Sequence, residues 1–135
     1  MLILLQAMAH EEGYFARGLT ADRPQRNNNP GDLLWCPETR AFGATEGDPT
    51  FAVFPNVQLG WKALQRWLSV RARFDQNGSL VGGYLGATLR QLVFRFAPPN
   101  QNNSAAYLAF ICAQTGLQES SIITQQLLAT PEAGA

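Results

Sequence analysis

The 135-residue sequence predicts a single α+β domain in which helices predominate. Apolar residues recur at helical spacing in several segments, and turns rich in Gly, Pro and Asn separate these segments. Two short runs have β character, LLWC (33–36) and TFAVF (50–54), and both follow the first predicted helix. We therefore expect one small β-hairpin, or tongue, in a helical domain spanning residues 1–130, with a flexible tail at 131–135.

The composition excludes several classes of protein. Hydrophobic residues make up 46 % of the chain and charged residues 15 %, a balance that supports a packed core. Ten acidic and ten basic side chains cancel, so we expect no general attraction to nucleic acid or to a membrane surface. The apolar N-terminal run MLILL is short and follows no basic residue, so we expect neither a signal peptide nor a membrane span.

The first part of the chain predicts two helices separated by loop and β structure. Residues 2–12 are rich in helix-forming side chains, and Gly13 is a suitable stop. Residues 14–32 lack an apolar period and are expected to form a loop. Asn56 should cap a long helix whose apolar residues extend to Phe74.

The second part of the chain carries clearer helix signals. Thr88 and Gln91 have the spacing of a capping box at the start of a short helix. Asn103 or Ser104 should cap the next helix, which Gly116 closes. A last helix is expected at about residues 120–129.

Two adjacent acids, Glu11 and Glu12, end the first predicted helix, where the helix dipole disfavours negative charge. A helical wheel puts Glu12 near the middle of the apolar face and Glu11 nearer its edge. Burial against apolar groups raises the pKa of a carboxyl, and a carboxyl still protonated near neutrality can act as a general acid. The alternative is an ion pair between Glu12 and a nearby base, namely Arg17, Arg23 or Arg26.

The segment RNNNPGDL predicts a turn held by side-chain amides. Pro30-Gly31 suits a type II turn with positive φ at Gly31. The amides of Asn27, Asn28 and Asn29 can then satisfy backbone groups of a loop that has no hydrogen-bonded ladder of its own. The turn leads from the acid's helix into the tongue, so we expect it to form the floor of a cleft. Its asparagines would be mainly structural, although direct contact with a ligand stays open.

Four stretches in this order, EEGY, RNNNPGDL, FAVFPNVQLGWKALQRWL and TLRQLVFRFAPPNQNNSAAYLAFICAQTGL, cover about residues 7–117. Together they resemble a family of small phage and bacterial lysozyme-like proteins that are related to lytic transglycosylases and distantly similar to goose-type lysozyme. The resemblance implies a lysozyme-like fold, peptidoglycan glycan strands (MurNAc–GlcNAc) as the substrate, and no cofactor or metal. We expect a monomer that reaches the bacterial cell wall through phage lysis, a virion or a secretion system.

By the same resemblance, Glu12, directly before Gly13, matches the catalytic glutamate, with Glu11 as second choice. Tyr107 corresponds to a tyrosine that lytic transglycosylases place near that acid. The substrate-binding candidates are Asn28, Asn29, Trp35 and Tyr107.

The family implies a lytic transglycosylase with one glutamate, although hydrolysis stays open. A hydrolase would need a second carboxylate, and the candidates are Asp32 and Glu46. Trp61 and Trp67 lie at core spacing on the long helix and are expected to be buried. The alternative function is a catalytically inactive lysozyme-like protein with a structural or wall-binding role in a phage particle. A peptidase or amidase is disfavoured because the chain has one His and no Cys-His motif.

Overall fold

The computed structural model describes residues 1–15, 23–70 and 83–131, together with the backbone of 73–74 and 80–81. Its helices are α1 Leu4–Glu11, α2 Arg23–Arg26, α3 Pro37–Ala41, α4 Val57–Ser69, α5 Leu89–Phe96, α6 Ser104–Thr115 and a 3₁₀ turn Gln126–Leu128. Strand β1 (Glu46–Gly47) pairs antiparallel with β2 (Ala52–Val53), and β3 (Arg73–Phe74) pairs antiparallel with β4 (Leu80–Val81). The expected α+β class with predominant helix is confirmed.

Helix α1 lies at the centre of the helical packing. It contacts α6, α4 and the 3₁₀ turn, and α5 packs on the other side of α6. The side chains of Leu5, Ala7 and Met8 are fully buried, because neighbouring elements cover most of the helix surface. The predicted apolar face is therefore correct, and it carries the end of α1 into the interior.

The predicted helix caps are confirmed. The side chains of Asn56, Thr88 and Asn103 each accept a hydrogen bond from the backbone N–H three residues later, at 3.0, 3.1 and 3.1 Å. The backbone N–H of Thr88 donates to Oε1 of Gln91 at 2.9 Å, which completes the capping box. Gly116 closes α6 with φ of +77°. These local signals act within one helical turn, which explains why the sequence alone reveals them.

Two predicted element boundaries, those of the long helix and of the loop 14–32, are wrong. Helix α4 ends at Ser69 rather than near Phe74, because Val70 is extended and the chain then enters β3. A second small β element therefore stands where continued helix and a turn were expected. The predicted loop 14–32 contains the short helix α2, while its residues 16–22 lie outside the described part of the chain.

The predicted last helix at 120–129 is also wrong, since only the 3₁₀ turn forms there. The segment before that turn lies beside the start of α5. The backbone N–H of Leu89 donates to the carbonyl of Ser121 at 2.8 Å, and Ile122 forms a β-bridge with Thr88. The first N–H groups of a helix have no partner within the helix, so the extended segment supplies one.

The predicted tongue is correct in location but wrong in pairing. Strand β2 lies within the run 50–54, yet its partner is β1, and Leu34 makes only an isolated bridge to Phe51. The run 33–36 is interrupted because Pro37 begins α3, where Oγ1 of Thr39 accepts from the backbone N–H of Cys36 at 3.0 Å.

A buried amide ties the asparagine turn to the tongue. The side chain of Asn29 is fully buried, and its Nδ2 donates to the carbonyls of Leu33 and Ala52, both at 2.9 Å. Its Oδ1 accepts from the backbone N–H of Leu33 at 3.0 Å. One side chain therefore holds two segments that share no continuous ladder.

The turn itself is not type II. The N–H of Asp32 donates to the carbonyl of Asn29 at 3.0 Å, but the left-handed conformation falls at Asp32 (φ +49°), not at Gly31. A Cβ at position 31 would lie 2.7 Å from the Cδ1 atom of Leu64, so that side chain would have to shift. Similarly, a Cβ on Gly60 of α4 would lie 1.9 Å from the carbonyl oxygen of Asn28.

Two further features concern the chain as a whole. In the described ranges, no helix has both the length and the apolar character needed to cross a membrane. Cys36 and Cys112 are free, half-buried thiols. Burial raises the pKa of the Cys112 thiol.

We predict that Asn29→Ala lowers the free energy of unfolding by about 3 kcal/mol, because it leaves the buried N–H of Leu33 and the carbonyl of Ala52 without the amide, while the carbonyl of Leu33 keeps the bond from the N–H of Ala52. Chemical denaturation measures the change. The control is Asn100→Ala, in an exposed turn, which should change stability by less than about 0.5 kcal/mol. Equal effects of the two substitutions would contradict the structural role of the Asn29 amide.

Candidate active site

Glu12 occupies the C-terminal cap of α1, where the chain reverses sharply. The backbone N–H of Gly13 donates to the carbonyl of His10 at 3.1 Å, and that of Tyr14 donates to the carbonyl of Ala9 at 3.0 Å. This pair of bonds is a Schellman motif, and it requires the positive φ that Gly13 adopts at +89°. The Glu-Gly pair thus fixes the acid at the helix end, and the acid is half-buried whereas Glu11 is exposed.

The surroundings of Glu12 favour its protonated form. Burial raises the pKa of Glu12 from 4.5 to about 7, while a hydrogen bond from Tyr107 lowers it in part. The nearby carboxyls of Asp32 and Glu11 contribute to this rise, and the guanidinium of Arg23 opposes it. The main cause is desolvation, since a charged carboxylate loses more hydration than a neutral acid when it leaves water.

Tyr107 comes from the neighbouring helix α6 and is almost fully buried. Its hydroxyl donates to the carbonyl of Met8 at 3.5 Å and also lies within hydrogen-bonding reach of the Glu12 carboxyl, whose pKa it lowers. Burial, followed by the negative charge of Glu12, raises the pKa of Tyr107 well above its usual value. The tyrosine is therefore a neutral donor that orients the acid from outside the cleft walls.

Glu12 opens onto a cleft of about 440 Å³. Besides this acid, the charged side chains that the described residues contribute to its walls are Asp32, Arg23 and Arg95. One wall comes from the turn after α2, and the opposite wall comes from the end of α5 and the turn that follows it.

The remaining walls of the cleft combine apolar surface with amide side chains. Its aromatic members are Phe51, Trp67, Tyr84 and Phe96, and its amides are Gln101 and Asn102. A concave site that combines apolar surface with polar groups is typical of small-molecule and oligosaccharide binding.

Asp32 and Arg23 form a two-pronged ion pair in this wall. Nε of Arg23 donates to Oδ1 of Asp32 at 2.9 Å, and one terminal nitrogen donates to Oδ2 at 2.5 Å. The Asp32 side chain is only 8 % exposed, and the guanidinium also lies 3.6 Å above the ring of Phe51. Both charges are therefore held in place, and the pairing of Arg23 with Glu12 that the sequence left open does not form.

Four predicted site residues lie away from the cleft walls or point elsewhere. Asn29 is buried with its amide fully used, and Nδ2 of Asn28 donates to the carbonyl of Phe54 at 3.0 Å. The ring of Trp35 lies against Gly47 of β1, and Glu46 is exposed on the same strand. The structure thus corrects the prediction of substrate contact for Asn29. Of the predicted site residues, it brings together Glu12 and Asp32 in the cleft, and Tyr107 beside Glu12 outside the cleft walls.

The sequence missed several residues that line the cleft. Trp61 is buried as predicted, and Trp67 is half-buried, packing against the core while it also lines the cleft. Arg23 and Arg95 carry no motif of their own. The one available signal was the segment APPNQNN (97–103), whose first residues form the wall opposite Asp32.

Comparison with known proteins adds no further assignment. The chain matches no protein-family model, and no curated protein is significantly similar to it. Within the described part of the chain, no group of three or more His, Cys, Asp or Glu side chains is placed to hold a metal ion.

We predict that stability falls as the pH rises, because the folded state holds the Glu12 proton more tightly than the unfolded state does. The loss should begin near the ordinary pKa of 4.5 and be complete above about 7. It should amount to about 3 kcal/mol. Denaturation of wild type and Glu12→Gln over this range measures it, and the variant should gain stability relative to wild type as the pH rises. A difference that stays constant with pH would contradict the burial of an ionisable Glu12.

Proposed function

We propose that this protein cleaves the glycan strands of peptidoglycan as a lytic transglycosylase, with Glu12 as its general acid and base. The observation that carries the proposal is a carboxyl at the floor of an open cleft whose pKa is raised to about 7 by burial. A carboxylic acid with this pKa is partly protonated at neutral pH, so it can both give and take a proton there. The proposal includes a lysozyme-like arrangement of helices, in keeping with the resemblance in sequence.

The proposed reaction uses one carboxyl twice. Protonated Glu12 donates its proton to the glycosidic oxygen as the bond from that oxygen to C1 of the muramoyl residue breaks. The Glu12 carboxylate then accepts the proton of the muramoyl 6-hydroxyl as O6 bonds to C1. The product is a 1,6-anhydro sugar, no water is consumed, and Glu12 returns to its protonated form.

The state of the other acids supports a mechanism with one carboxyl. Asp32 uses both carboxylate oxygens on Arg23, so it is poorly placed to act as a nucleophile or a base. Glu46 lies outside the cleft walls. Asp48 accepts from Nδ2 of Asn27 at 2.7 Å and from the backbone N–H of Phe51 at 2.8 Å, and these bonds lower its pKa.

The position of Tyr107 fits the same reaction. A neutral donor bonded to Glu12 stabilises the carboxylate that forms after proton transfer, and it limits rotation of the carboxyl. The aromatic surface of Trp67 and Phe96 offers apolar faces for sugar rings, and the amides of Gln101 and Asn102 offer hydrogen bonds to hydroxyl and N-acetyl groups.

We predict that wild type releases anhydromuramoyl products from purified peptidoglycan and that Glu12→Gln lowers the rate by at least about 100-fold, because an amide cannot donate the proton. Mass spectrometry of the digests identifies the products, and the release of soluble fragments measures the rate. The matched control is Glu11→Gln, the neighbouring exposed acid, which should retain most of the activity.

Other results would point to other functions. Reducing-end products would indicate a hydrolase and would make Asp32 the candidate for the second acid. Activity that survives in Glu12→Gln would contradict the site assignment. A wild type that releases nothing from several wall types would favour the inactive structural or wall-binding alternative.

We also predict that activity declines above about pH 7, where Glu12 loses the proton that it must donate. Tyr107→Phe should move this decline to higher pH, because the tyrosine hydrogen bond lowers the pKa of Glu12. It should also reduce the maximal rate by about 10-fold through loss of orientation. Profiles of rate against pH for both proteins provide the test, and a decline at unchanged pH would contradict the Tyr107–Glu12 bond.

A further inference from the structure

The two arginines of helix α5 differ in their partners. Arg90 pairs with Glu119 at 3.1 Å and lies 4.2 Å above the ring of Phe94. Arg95, in the last turn of the same helix, is exposed and lines the cleft. No carboxylate among the described residues pairs with Arg95.

The charges that the described residues place in the cleft do not balance while Glu12 is protonated. Asp32 and Arg23 cancel each other in a fixed pair, and protonated Glu12 is neutral. Arg95 is then left as one positive charge in the wall, where its exposed side chain is accessible to an anion. The cleft therefore favours a ligand that brings one negative charge to this wall.

We propose that Arg95 determines specificity by binding a carboxylate of the glycan strand, an inference that rests on the proposed function. The planar guanidinium can give two parallel hydrogen bonds to a carboxylate, and a neutral sugar offers no equivalent acceptor. Peptidoglycan carries such groups in two places, namely the lactyl group of muramic acid when no peptide is attached and the stem peptide when one is. Polymers made only of N-acetylglucosamine carry neither. The residue thus distinguishes muramic acid strands from neutral amino-sugar strands.

The test compares the affinities of the full chain for three tetrasaccharides. Every chain tested carries Glu12→Gln, so that no probe is cleaved. The first probe is N-acetylglucosamine alone, the second is MurNAc–GlcNAc without peptide, and the third is MurNAc–GlcNAc with stem peptides. Titration calorimetry should show that one or both carboxylate-bearing probes bind at least about 10-fold more tightly than the neutral probe. The probe that shows the preference identifies the source of the carboxylate.

Substitution of Arg95 should remove this preference without lowering the affinity for the neutral probe. Arg95→Gln is expected to bind all three probes alike, and Arg95→Lys should recover part of the preference because it keeps the charge but not the fork. The matched control is Arg90→Gln, which removes the same charge from the same helix but outside the cleft and should keep the preference.

Two results would overturn the proposal: equal affinity of the Arg95-containing chain for all three probes, or a preference that survives in Arg95→Gln. Failure of the proposed function is a separate result. It would show as an absence of released products from wild type, and the preference in binding would still be measurable in that case.

Discussion

The buried amide of Asn29 is the contact on which the geometry of the cleft depends. It joins the turn that carries Asp32 to the backbone of Leu33 and Ala52, whose two segments share an isolated bridge rather than a continuous ladder. The same turn lies against α4 so closely that position 60 admits only glycine. Because a buried amide without partners is costly, this turn has one stable position. The wall opposite α5 is therefore rigid before any ligand arrives.

The acid at the end of α1 is destabilising to the fold and useful to the proposed chemistry for the same reason. Burial and the C-terminal end of a helix both disfavour a negative charge on Glu12. The protein tolerates this because Gly13 closes the helix with a Schellman motif and Tyr107 supplies a hydrogen bond. Residues at functional sites commonly oppose local stability in this way, and the packing of α1 against α6 supplies the compensation.

The charged groups of the cleft are of two kinds, a fixed ion pair and groups that remain available to a ligand. Asp32 and Arg23 are fixed by each other and by Phe51, so they shape the wall without a free proton or lone pair to contribute. Glu12 is the acid whose proton is exchangeable near neutrality, and Arg95 is the cation in the wall that remains available to a ligand. Among the described residues, one exchangeable proton and one cation without a carboxylate partner are the groups that the proposed mechanism, with a single glutamate and an anionic substrate, requires.

The sequence by itself determined the starts of α4, α5 and α6, their caps and the placement of Glu12 on a buried helix face, because these depend on residues within one or two turns of each other. It also indicated that the asparagine turn is structural. Only the tertiary structure decided that β2 pairs with β1, that Trp67 faces the cleft and that Arg23 pairs with Asp32. Those outcomes depend on contacts between distant segments, and short strands or single charges carry no local pattern that specifies their partners.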